Sequence, residues 1–327
     1  MEKIILGFSG GVDSTAAAIM LREAGYDVHL LTLDTTGSAE LLGKARQQAE
    51  QLGLSWESCD VREAFRREIV DYFIDGYRRG ETPAPCTVCN PRIKWRILYE
   101  TMKERGYDRI ATGHYVRIAC SGALYFVRRG IDPAKDQSYY LWGLPQPYLK
   151  HALTPLGDCF KSAVKRIYGQ QTPQRESMGV CFLGGRSCAD FLRERLPELG
   201  PGEVVDERGY VIGRHDGYAL YTIGQKKGLH TSSPGAVVTS IDAAENKLVA
   251  GPSEKLLHRN LILRDCHFTD PQALSVCSRL EVKIRGVGHN PGGYARITRQ
   301  TAAGLHIRLA EPARAAAKGQ PVVLYED

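Results

Sequence analysis

Long apolar runs are missing from this sequence, since no segment approaches the roughly 20 consecutive apolar residues that a membrane-spanning helix requires. The first residues also lack the basic region, apolar stretch and small-residue cleavage site of a secretory signal. No internal repeat or low-complexity segment is present, which excludes a repeat array or a compositionally biased chain. We therefore expect a globular, cytoplasmic protein without a membrane partner.

A disulfide framework is also unexpected, because the chain has nine cysteines, an odd number, and a reducing compartment does not maintain disulfides. The composition, 43% apolar and 24% charged residues, is typical of a soluble globular protein, and a length of 327 residues is typical of two or three domains. The net charge of +6 permits a polyanionic partner without requiring one. We expect small core residues at most of Cys59, Cys120, Cys159, Cys266 and Cys277.

A glycine-rich segment near the N-terminus indicates an anion site. Residues 7–14 read Gly-Phe-Ser-Gly-Gly-Val-Asp-Ser and lie between the apolar run Ile4-Ile5-Leu6 and a helical segment that follows. A strand, a small-residue turn and a helix N-terminus direct backbone N–H groups and a positive helix end at a phosphate. The segment lacks the Gly-Lys-Ser/Thr ending of the kinase-type P-loop. It resembles instead the loop of ATP pyrophosphatases, which split ATP between its α and β phosphates.

The alternation of apolar segments predicts an α/β fold for the first third of the chain. Its strands are expected at 4–6, 27–33, 54–59 and 109–112, and its helices at 16–21, 38–52 and 91–105. Asp60 and Glu63 have the spacing of a capping box at the start of a further helix. Such a parallel sheet is covered on both faces and binds ligands at the carboxyl ends of its strands, where residues 9–14 and Gly113-His114 fall.

The pattern changes after about residue 190, where Pro and Gly separate short segments. From about residue 259, five or six short alternating runs predict strands of a small β-barrel or sandwich. We therefore expect a Rossmann-like, parallel-sheet ATPase domain over 1–190, a small turn-rich module over 191–258 and a C-terminal β-barrel over 259–327.

Three cysteines require an explanation other than packing. Cys86 and Cys89 lie between two predicted helices, and the following Asn90-Pro91 is a favourable N-cap and first helical residue. A helix N-terminus with nearby Arg92 and Lys94 would stabilise a thiolate, which makes Cys89 a candidate nucleophile. The alternative is a C-x-x-C pair that acts as a redox or zinc site. Cys181 lies in a glycine-bracketed loop that can approach another site closely.

An ordered set of motifs resembles the bacterial tRNA-specific 2-thiouridylases, members of the PP-loop ATP pyrophosphatase superfamily, which thiolate the wobble uridine of certain tRNAs. Each motif is weak alone, but their order is specific and extends over essentially the whole chain. The motifs are residues 7–14, Cys89-Asn90, Gly113-His114-Tyr115, Lys135-Asp136-Gln137-Ser138, Gly179-Val180-Cys181-Phe182, residues 221–229, and Ala316-Lys318-Gly319-Gln320.

The resemblance implies a role for each matching position. Cys89 matches the family's nucleophile, Cys181 matches the cysteine that carries a persulfide, and Asp13 with the loop would position Mg²⁺ and ATP. The nucleotide would contact Gly7, Phe8, Ser9, Gly10, Gly11, Val12, Asp13, Ser14, Leu33 and Gly113. The target base or other parts of the tRNA would contact Ala84, Pro85, Cys86, His114, Lys135, Asp136, Gln137, Arg285 and Gln320.

The chain departs from the common family pattern at Cys86, where many relatives have an aspartate. Cys86, Cys89 and Cys181 are three thiols, the number that would hold a [4Fe–4S] cluster with one open iron. A zinc site would need a fourth ligand, for which Cys188 is near enough in sequence. Three metal-free arrangements compete with these two sites: persulfide chemistry, a Cys89–Cys181 disulfide formed during turnover, and a Cys86–Cys89 disulfide without catalytic meaning.

We expect an ATP-dependent sulfurtransferase that adenylates the wobble uridine of tRNA and then replaces its O2 with sulfur. A separate protein must donate the sulfur, because nothing in the chain resembles a PLP-dependent desulfurase. Two rival functions predict different behaviour. A PP-loop ligase or amidase for a small molecule would not need Cys89 or Cys181, and a non-catalytic RNA-binding sulfur carrier would not consume ATP.

Overall fold

The computed structural model describes residues 1–169, 179–270 and 279–326. The chain forms two compact units, of which unit 1 comprises Met1–Ile69 and Cys86–Phe182. Unit 2 comprises Val70–Pro85 and Leu183–Asp327. Cys277 and the first residues of the predicted Cys181 loop, Ser177 and Met178, lie outside the described residues. Among the described residues no helix is long and apolar enough to cross a membrane.

Unit 1 is built on a five-stranded parallel sheet with the strand order β3-β2-β1-β4-β7. An antiparallel hairpin, β5–β6, follows β4 in the chain. The strands are β1 (Lys3–Gly7), β2 (Asp27–Asp34), β3 (Ser55–Asp60), β4 (Arg109–Thr112), β5 (Val116–Ser121), β6 (Leu124–Arg129) and β7 (Ala152–Leu153). The four strands predicted from the sequence are confirmed.

Helices connect these strands. They are α1 (Val12–Glu23), α2 (Ala39–Leu52), α3 (Arg62–Phe65), α4 (Asp71–Arg78), α5 (Pro85–Cys89), α6 (Trp95–Arg105), α7 (Gln146–His151) and α8 (Lys161–Tyr168), of which α4 belongs to unit 2. α2 and α6 end at Gly53 and Gly106, both in the left-handed conformation, as the positions of these glycines predict.

The sheet of unit 1 is buried on both faces, as its continuous apolar strands predict. Ile4 and Leu6 of β1 are fully buried and pack with residues of α1 and α2 on one face. Ile5, between them, is equally buried on the other face, where it packs with Trp95 and Leu98 of α6. This double coverage leaves the ends of the strands free of helices, and residues 8–14 and Gly113 directly follow the carboxyl ends of β1 and β4.

Unit 2 contains two further five-stranded sheets and α9 (Cys188–Arg195). The first sheet has the order β10-β9-β8-β12-β11, with β8 (Gly202–Val205), β9 (Val211–His215), β10 (His230–Thr231), β11 (Val237–Asp242) and β12 (Lys247–Gly251). The second is antiparallel with the order β13-β16-β15-β14-β17, from β13 (Leu257–Leu263), β14 (Leu280–Lys283), β15 (Tyr294–Thr301), β16 (Gly304–Arg314) and β17 (Val323–Glu326). The predicted β-rich C-terminal region is confirmed.

Two capping predictions are wrong. α3 begins after Val61, and the Asp60 side chain accepts instead from the backbone and guanidinium of Arg62. Asn90 does not start a helix, because α5 continues through a π-helical turn at Asn90–Lys94 into α6. The Asn90 side-chain amide donates to the carbonyls of Cys86 and Tyr140 and so supports the helix where Pro91 offers no N–H.

The expectation that most of the remaining cysteines are core residues holds for two of the four described, since Cys59 and Cys159 pack against the hydrophobic cores of unit 1. Cys120 and Cys266 are exposed, and Cys59 and Cys159 are only partly buried. Their burial was inferred from residue type alone, which does not report the face of a strand or helix on which a residue lies.

Candidate active site

The glycine-rich segment at residues 7–14, called the phosphate loop below, connects β1 to α1 as predicted. Gly11 is the N-cap of α1, and no side chain caps the first turn, so its N–H groups remain available to an anion. Ser14 closes the loop, because its hydroxyl accepts from the Ser9 N–H at 3.2 Å and donates to the Gly11 carbonyl at 3.1 Å. The loop is therefore closed on itself, and the first turn of α1 has no side-chain cap.

At two positions of the site, neighbouring backbone atoms lie so close that only glycine fits. Gly10 has φ +71°, and a Cβ there would lie 2.9 Å from Cα of Ala45 in α2. Gly113 follows β4, and a Cβ there would lie 3.0–3.1 Å from the backbone of Asp13 and Ser14. The predicted pairing of Gly113 with the phosphate loop is thus reproduced by the geometry.

The rest of the predicted nucleotide site lies at the same sheet edge. Gly7 ends β1, and Phe8 is buried, with its N–H bonded to the Leu31 carbonyl and its carbonyl bonded to the Thr32 hydroxyl. Leu33, near the end of β2, is half-buried. These residues fix the strand end from which the loop departs.

Asp13 forms the charged centre of the loop with two residues that the sequence analysis did not assign to the site. Lys161 Nζ lies 2.5 Å from Asp13 Oδ1, and the Tyr115 hydroxyl donates to the same oxygen at 2.7 Å. The Lys161 side chain is only 6% exposed, whereas that of Asp13 is 38% exposed. Asp13 therefore presents a carboxylate surface to solvent beside the loop.

Cys86 and Cys89 lie in α5, three residues apart and hence on neighbouring positions of one helical face. Cys89 is buried, Cys86 is partly buried and Cys181 is exposed, and all three are free thiols of unit 1. Cys89 lies inside a continuous helical segment, so the predicted helix N-terminus beside it is absent and cannot stabilise its thiolate.

The electrostatics of this thiol cluster (Cys86, Cys89 and Cys181) are set by burial and by Lys94. Burial raises the pKa of Cys89 to about 11; Lys94 lowers it, and Cys181 and Cys86 raise it. Burial also raises the pKa of Cys86, against the opposing effect of Lys94. The prediction of a thiolate at Cys89 in the resting protein is therefore wrong, because burial outweighs the nearby cation.

Lys94 is the cation shared by the cluster. Its side chain is exposed. Partial desolvation by neighbouring protein atoms lowers the pKa of Lys94, but Cys89, Cys181 and Cys86 together raise it above its usual value. Cys181, 92 positions after Cys89 in the sequence, thus influences the pKa of both helical thiols and of Lys94.

These shifts predict the reactivity of Cys89. Its alkylation by iodoacetamide should accelerate about tenfold per pH unit from pH 7 to 9, because the thiolate fraction rises in that proportion below the pKa. Lys94→Gln should slow alkylation at each pH, since it removes the cation that lowers the pKa of Cys89. Mass spectrometry of the peptide that contains Cys89 measures the rate.

Arg92→Gln is the matched control, because Arg92 is exposed in the same helical turn and does not act on the pKa of Cys89. It should alkylate at the wild-type rate. A rate that is already constant between pH 7 and 8 in the wild type would contradict the raised pKa.

The thiols as arranged do not fit a metal site. In the ranges 1–169, 179–270 and 279–326, no group of three or more His, Cys, Asp or Glu side chains is placed to hold a metal ion. Cys188, the suggested fourth zinc ligand, belongs to unit 2 and hydrogen-bonds to Tyr77 of that unit. We therefore derive no step through an iron–sulfur cluster or zinc.

His114 lies beside the same cation. Its ring stacks on Trp95 with a centroid distance of 6.1 Å, and its Nδ1 is 2.9 Å from the Thr112 hydroxyl. Burial, assisted by the charge of Lys94, lowers the pKa of His114 to about 3. His114 is thus neutral near pH 7 and offers a hydrogen bond rather than a positive charge.

The predicted tRNA-contacting triplet Lys135-Asp136-Gln137 lies in a turn after β6. The Asp136 carboxylate accepts from the N–H groups of Gly130 and Ser138 and from the Ser138 hydroxyl. Gln137 Oε1 accepts from the Tyr115 N–H at 2.9 Å. The side chains of Asp136 and Gln137 thus shape the turn and position Tyr115, and tRNA contact by the triplet stays a prediction.

The other predicted tRNA-contacting residues belong to unit 2. Ala84 and Pro85 are buried. Two hydrogen bonds hold the backbone of Thr82, which precedes them: its N–H donates to the Lys318 carbonyl, and Gln320 Nε2 donates to the Thr82 carbonyl. Arg285 donates to the carbonyls of Arg314 and Ala315. Gln320 therefore positions the segment before Cys86, a role that the sequence did not indicate.

Three family models match consecutive parts of the chain. They are described as a tRNA methyl transferase HUP domain over residues 2–185, a tRNA methyl transferase PRC-barrel domain over 189–252 and an aminomethyltransferase beta-barrel domain over 258–327.

Curated relatives align along the whole length. A tRNA-specific 2-thiouridylase of Phocaeicola vulgatus is 40% identical, over 100% of this chain and 95% of its own. A tRNA-specific 2-thiouridylase of Herpetosiphon aurantiacus is 36% identical, over 100% of this chain and 96% of its own. One of Clostridium acetobutylicum is 33% identical, over 99% of this chain and 96% of its own. With this identity over nearly the full length of each relative, the chain belongs to the tRNA-specific 2-thiouridylase family.

Proposed function

We propose that this protein catalyses ATP-dependent 2-thiolation of the wobble uridine of tRNA. The observation that carries the proposal is that unit 1 holds both the phosphate loop, closed by the Ser14 hydroxyl, and the free thiols of Cys89 and Cys181. A reaction that both activates an oxygen with ATP and delivers sulfur needs these two groups of residues. The whole-length relatives are named for this reaction.

In the first step the phosphate loop binds the ATP phosphates through its N–H groups and the positive end of α1. The O2 of uridine attacks the α-phosphorus, the bond to the β-phosphate breaks, and pyrophosphate leaves. The partly exposed carboxylate of Asp13 would suit Mg²⁺, which prefers carboxylate ligands and would neutralise phosphate charge. The product is an adenylated uridine with AMP as its leaving group.

In the second step a persulfide on Cys181 supplies the sulfur. Its terminal sulfur attacks C2 of the uridine, AMP leaves with the former O2, and the base is held through a disulfide bond to Cys181. The Cys89 thiolate then attacks the Cys181 sulfur, which releases 2-thiouridine and leaves a Cys89–Cys181 disulfide. An external thiol reductant regenerates the two thiols, and a separate sulfur-donor protein restores the persulfide.

Three features favour this reaction over the rival functions. A ligase or amidase for a small molecule has no use for three interacting thiols, and a non-catalytic carrier has no use for a phosphate loop. The family-model descriptions name methyl transfer, but methyl transfer does not require a pyrophosphatase-type loop. We also propose that the reaction takes place in the cytoplasm, and that the domain limits are 1–190, 191–258 and 259–327.

The direct test is mass spectrometry of tRNA nucleosides from a strain that lacks this protein. We expect loss of 2-thiouridine derivatives at the wobble position and their return when the wild-type chain is expressed. Unchanged 2-thiouridine in the deletion strain, without a second thiouridylase gene, would contradict the proposal.

Binding of tRNA should depend on salt through individual cationic contacts. Lys135→Ala and Arg285→Ala should each weaken binding and flatten the slope of log K against log salt by roughly 0.7–0.9, the value for one lost phosphate contact. Lys3→Ala is the control, because Lys3 begins β1, at the amino end of the sheet. Filter binding at several salt concentrations measures the slopes.

Arg285→Ala also removes two hydrogen bonds to backbone carbonyls, so its thermal stability should be measured in parallel. Slopes equal to the wild-type value in both variants would place Lys135 and Arg285 outside the tRNA interface.

A further inference from the structure

We propose that Lys161 is the phosphate-binding cation of the ATP site, holding the β- and γ-phosphates and neutralising pyrophosphate as it leaves. The inference rests on the ATP chemistry proposed above. It concerns a residue 148 positions after Asp13 in the sequence, which no motif of the phosphate loop contains.

The position of Lys161 is fixed from three directions. Its backbone N–H donates to the Asp132 carboxylate at 2.9 Å, which anchors the start of α8. Its ammonium contacts Asp13 Oδ1 at 2.5 Å and lies 5.6 Å from the centre of the Tyr115 ring. Val164, one turn further along α8, is buried in the core that contains α1. Lys161 is therefore held beside the first turn of α1.

The phosphate loop has backbone donors but no cationic side chain of its own. In the kinase-type P-loop, the lysine of the Gly-Lys-Ser/Thr ending reaches the β- and γ-phosphates. Residues 7–14 lack that lysine, and Lys161 brings an ammonium to the same turn from α8. The buried ammonium has a partner in Asp13, which explains how its charge is tolerated before nucleotide binds.

During the reaction Lys161 keeps its proton. As the α-phosphorus accepts the uridine oxygen, the electron pair of the breaking bond goes to the bridging oxygen of pyrophosphate. A fixed ammonium at the β-phosphate stabilises this added negative charge more than it stabilises bound ATP, so it lowers the barrier. The Asp13 carboxylate, relieved of its contact with Lys161, would hold the Mg²⁺ that accompanies ATP.

Calorimetric titration of the full-length protein with ATP, inorganic pyrophosphate and AMP, each with Mg²⁺, tests this assignment. Lys161→Met should weaken binding of ATP and of pyrophosphate at least about tenfold, the effect of losing one buried charged contact. AMP should bind within about twofold of its wild-type affinity, since it has no β- or γ-phosphate. Lys161→Arg should recover part of the pyrophosphate affinity, because it restores the charge.

Lys165→Met is the matched control, because it removes the same charge from the exposed side of the same helix and should leave all three affinities unchanged. Two results would overturn the proposal: pyrophosphate affinity unchanged in Lys161→Met, or equal loss of AMP and pyrophosphate affinity, which would assign Lys161 a purely structural role. A wild-type protein that binds ATP but releases no pyrophosphate with tRNA would instead contradict the proposed function.

Discussion

The Asp13→Asn variant should release pyrophosphate about 10²–10³-fold more slowly than the wild type when ATP and tRNA are supplied, as expected when a preorganised charge is lost. Asparagine keeps the shape of the side chain and can still accept the hydrogen bond from Tyr115. It lacks the charge that would bind Mg²⁺ and that pairs with Lys161. The rate of pyrophosphate release in a coupled assay measures the effect.

The same substitution should lower the free energy of unfolding by about 1–3 kcal/mol, because it leaves the ammonium of Lys161 buried without its counter-charge. Partial exposure of Asp13 keeps this cost moderate, since solvent screens part of the lost interaction. Thermal unfolding of the variant measures the loss and shows that the protein assayed is folded.

Asp27→Asn is the control, because Asp27 is exposed at the amino end of β2, away from the edge that carries the phosphate loop. It should release pyrophosphate at the wild-type rate. Release by Asp13→Asn within about threefold of wild type would show that this loop does not catalyse phosphate chemistry.

The parts of the site that were predictable from sequence are those set by local pattern. Residues 7–14 combine an apolar strand, small residues and a helix start within one short segment, so their geometry follows from backbone preferences alone. Gly113 was placed correctly because the carboxyl ends of parallel strands share one edge, and its backbone does meet Asp13.

The parts that were missed depend on tertiary contacts. Lys161 follows the two-residue strand β7, which is too short to leave a periodic signal, so nothing in the sequence connects it to Asp13. The Asn90-Pro91 pair has the local pattern of a helix start. The helix nevertheless continues through this pair, supported by hydrogen bonds from the Asn90 side-chain amide to the carbonyls of Cys86 and Tyr140. The raised pKa of Cys89 has the same origin, because burial is not visible in a motif.

The three thiols should separate into two functional classes. Cys89→Ser and Cys181→Ser should each lower tRNA thiolation by at least about 10³-fold, because each removes a sulfur atom that forms or breaks a bond in every turnover. Both should still release pyrophosphate with tRNA, since adenylation precedes sulfur transfer. Cys120→Ser, which changes an exposed thiol of β5, should behave as wild type in both assays.

Cys86→Asp should retain thiolation, because persulfide transfer between Cys181 and Cys89 does not use the Cys86 sulfur. The discriminating measurement is iron and sulfide content of anaerobically purified protein, compared with thiolation activity for the wild type and Cys86→Ala. A metal-free wild-type protein that thiolates tRNA agrees with the arrangement of the described residues, none of which form a three-ligand group. An iron-loaded wild type that loses iron and activity together in Cys86→Ala would contradict the metal-free route, because only a ligand role makes both depend on that thiol.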